Sequence, residues 1–283
     1  MVIFIMNEEL MKNVSKSLNK KFKGPILGKF IKAINDYKMI MPNDKIAVCI
    51  SGGKDSLVLA KCFQELKRHN LFEFEIVFIA MDPGFNEENR RLLLKNCEDL
   101  GIEVVIDNSR IFDIIERNSL EYPCYKCAKM RRGFLYNLAK SLGCNKIALG
   151  HHFDDVIETT LLNIFYAGCF KTMLPKLKST SFEGMELIRP LYYVKEEDIT
   201  HFMKYHNIQA MSCGCKIASG ELPSKRKEIK DLIKHLRTVY SDVDKCIFKS
   251  AENINLSSVL GWVDDEKSYS FLDNYDKEKM DFE

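Results

Sequence analysis

No apolar run in this sequence is long enough to span a bilayer, which takes about 20 residues. The opening MVIFIM is too short for a signal-peptide core and has no basic residue ahead of it. A cytoplasmic location and no membrane partner are therefore expected. Charge of one sign is also lacking: 42 Lys and Arg against 40 Asp and Glu leave a formal charge of +2. A protein that coats nucleic acid by bulk charge is thereby excluded, though local basic patches are not. There is no internal repeat and no second C-x-x-C after the one at 124–127.

What is present fits an ordinary globular protein, with 46% hydrophobic and 29% charged residues over 283 positions. Ten cysteines in such a chain are expected as reduced thiols or metal ligands rather than disulfides. From Asp44 onward, short β-rich runs alternate with helical stretches: KIAVCIS, FEIVFIAMD, IEVVIDN, KIALGHH and MELIRPLYYV are the strand candidates. This alternation predicts an α/β fold with a doubly wound, mostly parallel five-stranded sheet and helical N- and C-terminal extensions. Four parts follow: a basic helical segment 1–43, the α/β domain 44–216, a helical part 217–263, and an acidic, mobile tail 264–283. Residues 11–33 carry seven lysines and no acid, with Gly24-Pro25 breaking the run. That segment reads either as a solvated helix face or as a phosphate-facing surface.

Ligands of doubly wound sheets bind at the carboxyl ends of the strands, which puts SGGKDS (51–56), AMDPG and GHHFDD (150–155) on one rim. Gly52 and Gly53 let backbone N–H groups turn toward an anion, and the helix that follows adds its positive end. Ser51 and Ser56 can donate hydroxyls, and Lys54 supplies a full charge. The P-loop of kinases and GTPases is ruled out, because the lysine follows the second glycine directly. Asp154 and Asp155 could cap the next helix or hold Mg²⁺ on a triphosphate. His151 and His152 could contact phosphate or move protons. Cys124 and Cys127 open a helix in C-x-x-C spacing, where Lys126, Lys129, Arg131 and Arg132 favour the thiolates. The pattern suits a redox pair, half a zinc site or iron–sulfur ligation, with Cys213-Gly214-Cys215 as a remote contributor. Cys49, Cys62, Cys97, Cys144, Cys169 and Cys246 lie singly in apolar patterns and read as core residues.

SGGKDS at the end of a first parallel strand resembles the PP-loop of ATP pyrophosphatases. That resemblance implies Ser51, Gly52, Gly53, Lys54, Asp55 and Ser56 as the nucleotide site, with adenine near Ala80 and Met81. Gly150, His151 and Asp155 line the opposite side, and Lys54, Asp55 and Asp154 are the candidate catalytic residues. SGGKDS, PCYKCAKMRRGFLY, GHHFDDVIETTLLNIFYAG and IRPLYYVKEEDI, in that order, closely resemble the tRNA 2-thiocytidine synthetases (tRNA-cytidine 32 2-sulfurtransferases) over about residues 12–260. The resemblance implies a 4Fe-4S cluster on Cys124, Cys127 and either Cys213 or Cys215, with ATP and Mg²⁺ as further cofactors. It implies adenylation of C2–O of an anticodon-loop cytidine and replacement of that oxygen by sulfur. A tRNA would be the substrate, a cysteine desulfurase or sulfide the sulfur donor, and a homodimer is compatible. Lys16 to Lys32, Lys171, Lys176 and Lys225 to Lys227 are candidate tRNA-facing residues. Two alternatives stay open: thiolation of a uridine, and a nucleotide-binding protein whose cysteines hold a structural zinc.

Overall fold

The computed structural model describes residues 8–69, 73–109, 123–211, 225–264 and 267–275, with the backbone alone for 123–128 and 274. The central sheet has six strands in the order β3-β2-β1-β4-β6-β5. They are β1 (Lys45–Ile50), β2 (Glu75–Asp82), β3 (Val104–Asn108), β4 (Lys146–Ala148), β5 (Lys176–Lys178) and β6 (Glu186–Ile188). All pairings are parallel except β5 with β6. The expected five parallel strands are there, and one antiparallel edge strand is added. The fifth is shorter than MELIRPLYYV suggested: it ends at Ile188, and Arg189 and Pro190 lead into a turn because proline cannot donate to the ladder.

α3 (Lys54–His69) follows β1, α4 (Glu87–Asp99) follows β2, α5 (Pro123–Ser141) precedes β4, and α6 (Phe153–Ala167) follows it. The strand order reverses between β1 and β4. A cleft therefore opens where their carboxyl ends diverge, and α3 and α6 both point their N-termini into it. β1 is apolar along its length because it is covered on both faces. Val48 and Ile50 pack with α3, while Ala47 and Cys49 pack with Tyr136 and Ala139 of α5.

The N-terminal segment is helical, as α1 (Glu8–Asn19) and α2 (Lys29–Asp36), but Gly24-Pro25 does not break it. Residues Lys23–Gly28 form a π-helical turn joining the two, and Pro25 falls in its first turn, where a missing N–H costs little. Val14, Leu18, Phe22, Ile26 and Phe30 belong to the same core as β1 and α3, so this segment is part of the main body. Its lysines are partly neutralised in three dimensions, with Lys29 on Asp198 at 3.1 Å and Lys32 on Asp36 at 2.5 Å.

α7 (Glu196–Tyr205), α8 (Lys225–Val239) and α9 (Val243–Ser250) complete the body, with Ile229 and Ile233 of α8 packing on Phe153, Ile157 and Leu161 of α6. Where a mobile tail was expected from residue 264, the chain forms an antiparallel ribbon, β7 (Gly261–Asp264) with β8 (Lys267–Ser270), and a short helix α10 (Leu272–Tyr275). Trp262 stacks on Tyr269 there at 5.1 Å, a cross-strand aromatic pair that favours the ribbon. Residues 276–283 lie outside the described residues. No described helix is long and apolar enough to cross a membrane.

Candidate nucleotide-binding site

The turn after β1 is laced together by its own hydroxyls. Ser51 N–H donates to Ser56 Oγ at 3.1 Å, Ser56 Oγ donates to Gly53 O at 2.8 Å, and Gly53 N–H reaches Ser51 Oγ at 3.3 Å. Gly52 has φ +81°, a left-handed backbone that L side chains avoid. A Cβ there would come within 2.3 Å of Met211 Sδ. Met211 also donates its N–H to Gly52 O at 2.9 Å, so the loop is braced from outside. The first amides of α3 have no intrahelical acceptor by helix geometry and open toward the cleft.

Facing this loop, Gly150 ends the strand side of the second turn. A Cβ on it would stand 3.1 Å from Asp55 C and Ser56 N, so any other residue would press the two turns apart by a few tenths of an ångström. His152 caps α6: its Nδ1 accepts from Asp155 N–H at 3.4 Å, and Asp155 Oδ2 accepts from His152 N–H at 3.0 Å. His151 is half-buried; desolvation of its ring depresses its pKa to about 4, and its buried Nδ1 meets no hydrogen-bond partner. At neutral pH it is an uncharged hydrogen-bonding group rather than a cation for phosphate.

Between the turns lies a cavity of about 340 Å³, lined by Ser51, Asp55, Ser56, Met81, His151 and Asp155 among others. Its polar wall is the loop; its apolar wall includes Cys49, Phe85, Leu135 and Leu149. The division suits a ligand with an anionic tail and a flat apolar head. Of the two residues expected near adenine, Met81 lines the cavity, while Ala80 is fully buried in the core.

Asp154 and Asp155 part company. Asp155 lines the cavity, and its carboxyl is held below the usual range because His152, His151 and Arg226 outweigh the effect of burial. Asp154 turns the other way, accepting from Glu196 N–H at 2.7 Å and from Arg237 Nη2 at 2.6 Å. Successive helix residues point about 100° apart, so only one of the pair can face the nucleotide. The expected catalytic role of Asp154 does not fit this placement: it pins α8 to α6. For a hard cation the better-placed carboxylates are Asp155 and Asp55, whose buried Oδ1 accepts no hydrogen bond but lies 3.2 Å from the Lys54 ammonium.

Glu196, Lys230 and Arg226 come to the loop and its facing turn only in the folded chain. Lys54 meets Asp55 at 3.2 Å and Glu196 at 3.0 Å. Burial works against its charge, yet the two acids win and raise its pKa. Burial alone would raise the Glu196 carboxyl, but Lys54 and Lys230 hold it down at about 2. Arg226, expected on an RNA surface, instead meets Asp155 at 3.3 Å and Glu158 at 3.5 Å. Glu158 had a faint signal in the sequence, as an acid one turn beyond Asp154 and Asp155 on an otherwise apolar helix.

A family model described as a PP-loop domain matches residues 25–212. A tRNA-cytidine(32) 2-sulfurtransferase from Pelobacter propionicus is 37% identical over 226 residues, covering 79% of this chain and 83% of that protein. This chain belongs to the tRNA-cytidine(32) 2-sulfurtransferase family. Within that family, a member from Neisseria meningitidis is 37% identical over 228 residues, covering 78% of this chain and 69% of its own. One from Geotalea uraniireducens is 36% identical over 227 residues, covering 79% and 88%. Among solved structures, the U34-tRNA thiolase NcsA from Methanococcus maripaludis with its [4Fe-4S] cluster aligns with a TM-score of 0.59 at 23% identity. The alignment covers 87% of this chain and 77% of that one, a likeness of fold.

The cysteines expected as cluster ligands are only partly described. Cys124 and Cys127 fall one turn apart at the N-terminal end of α5, with their side chains outside the described residues, as are Cys213 and Cys215 entirely. Among the described residues no group of three or more His, Cys, Asp and Glu converges as a metal site. Cys49, Cys62, Cys97 and Cys144 are buried as expected, and burial pushes their thiols up, away from the thiolate that a soft metal takes. Cys169 and Cys246 are exposed, against the core reading. The expected ligands Cys124, Cys127 and Cys213 or Cys215 thus all have their side chains outside the described residues.

Proposed function

We propose that this protein is an ATP-dependent tRNA sulfurtransferase that replaces the C2 oxygen of cytidine 32 with sulfur. The observation that carries the reading is the single cavity shared by the Ser51–Ser56 loop and the His151–Asp155 wall, in a chain of this family. ATP would lay its phosphates on the loop amides and Lys54, with Mg²⁺ on Asp55 and Asp155 and the adenine against Met81 and Phe85. The C2 oxygen of the cytidine attacks the α-phosphorus; an O–P bond forms and pyrophosphate leaves. Lys54 and the amides meet charge that grows on the phosphates in this step. Neutral His151 holds the activated base or the ribose without adding charge. Sulfur at the sulfide level then bonds to C2, the C2–O bond breaks, and AMP carries the oxygen away. Cys124 and Cys127, with Cys213 or Cys215, are the residues that would hold a 4Fe-4S cluster, whose open iron supplies that sulfur when bound. The base must leave its stack for C2 to be reached, which suits a loop nucleotide.

Asp55→Asn tests this assignment in protein purified without oxygen. It should abolish AMP formation with cytidine-32 tRNA while leaving iron and acid-labile sulfide at the wild-type level. AMP release at the wild-type rate would remove Asp55 from the chemistry. Zinc without iron in the wild-type protein would favour the structural-zinc alternative. Sulfur found on a uridine would favour the other.

A further inference from the structure

The end of α6 carries side chains that its own core does not use. Phe165 is 57% exposed, Phe170 45% and Leu174 56%, and Ile164 and Leu177 of the same stretch of chain are exposed too. Exposed apolar side chains gathered within 14 residues of chain point to a contact surface. Charge narrows the partner. From Thr159 to Phe182 the chain has no acid, and it carries Lys171, Lys176 and Lys178. Lys171 and Lys178 are exposed and form no ion pair with the described residues. A symmetric contact with a second copy would bring this patch against itself and set like charges together. A polyanion with flat, stackable groups meets both features at once.

The ridge is held rigid. Gly168 ends α6 in the left-handed conformation, and the chain then returns along the helix, with Asn163 Nδ2 donating to Lys171 O at 2.7 Å and Thr160 Oγ1 to Thr172 Oγ1 at 2.9 Å. The return leads back to the cavity. Tyr192 OH donates to Met173 O at 2.8 Å, and Arg189 bonds to Leu174 O while lying close enough to Asp155 and His151 to influence their charge. Tyr166 is already committed: its hydroxyl bonds to Glu228, and Lys225 Nζ sits 4.8 Å over its ring. Phe165 and Phe170 are the rings left open.

We propose that residues 164–178 form an RNA-docking platform, with Phe165 and Phe170 as stacking faces for unpaired bases and Lys171 and Lys178 as phosphate contacts. The proposal rests on the tRNA reading above and extends it to a surface outside the nucleotide cavity. Equilibrium binding of an unmodified tRNA transcript bearing cytidine 32 to the full chain tests it. Replacing Phe165 and Phe170 together by alanine should weaken binding by about tenfold or more. Lys171→Glu with Lys178→Glu should make the logarithmic salt dependence shallower by about two. Neither pair should change ATP binding or sedimentation. Wild-type affinity and salt slope in both variants would overturn the platform and leave the tRNA reading intact. Loss of self-association in the phenylalanine variant would overturn it in favour of a subunit contact. Failure of the wild-type protein to bind tRNA at all would sink the tRNA reading itself, and the platform with it.

Discussion

Two strand-to-helix turns face each other across the cavity, and they spend their amides in opposite ways. The turn after β1 satisfies itself with serine hydroxyls and a left-handed glycine, leaving the first amides of α3 open to the cleft. The turn after β4 consumes its amides in a reciprocal cap between His152 and Asp155. A helix N-terminus is therefore an anion site only when no side chain has already claimed it. The first turn leaves its helix amides free for an anion. The second is built to hold side chains still beside it.

The comparison breaks most severely at Gly52. Gly52→Ala places a methyl group into Met211 and forces a non-glycine residue to φ +81°. The fold should lose about 1–2 kcal/mol, and ATP affinity should fall by about tenfold or more as the amides are misdirected; urea unfolding and ATP titration read the two effects. Wild-type ATP affinity in that variant would mean that the amides are not the anion site.

The next effect separates the two acids of the second turn. Asp154→Asn weakens the anchor to Arg237 and should cost about 1–3 kcal/mol of stability, with ATP affinity unchanged. Asp155→Asn should cost about 1 kcal/mol through the cap and weaken Mg-ATP binding. An interchange of these outcomes would return Asp154 to the nucleotide.

The smallest effect concerns pH. Burial raises the Glu158 carboxyl to about 7, although Lys230 and Arg226 pull against it. Between its unfolded value near 4.5 and about 7 the folded protein binds a proton that the unfolded chain does not. Stability from this group is complete below the lower value and is lost as pH rises to the upper one. Glu158→Gln should flatten the stability profile between about pH 4.5 and about pH 7, as followed by urea unfolding. An unchanged slope would assign the pH dependence to another group.

Much of this was legible in the sequence because the relevant signals are local. KIAVCI and EIVFIAMD read as buried parallel strands, and SGGKDS names its own loop through glycine, hydroxyls and lysine in six residues. The edge strand Lys176–Lys178 was not, since three residues beginning just after Pro175 carry too little alternation to register. Nor could spacing separate Asp154 from Asp155, because facing depends on where α6 lies against α8. Glu196, Arg226 and Lys230 reach the loop and its facing turn only through tertiary packing, and no local pattern marks them. The ribbon at 261–270 was not legible either, because the acidic, weakly periodic composition of that stretch does not mark the cross-strand stack of Trp262 on Tyr269.

The bond from Met211 to Gly52 has a consequence for the order of assembly. A ribosome finishes the SGGKDS loop early, but its brace comes from a residue near the far end of the α/β domain. Such distant pairings form late, because a long stretch of chain must be ordered before they close. The anion loop of a nascent chain therefore stays unbraced until residue 211 has emerged and docked. A chain that stalls or is cut before that point would keep the motif intact and still lack the shape that makes it a binding site.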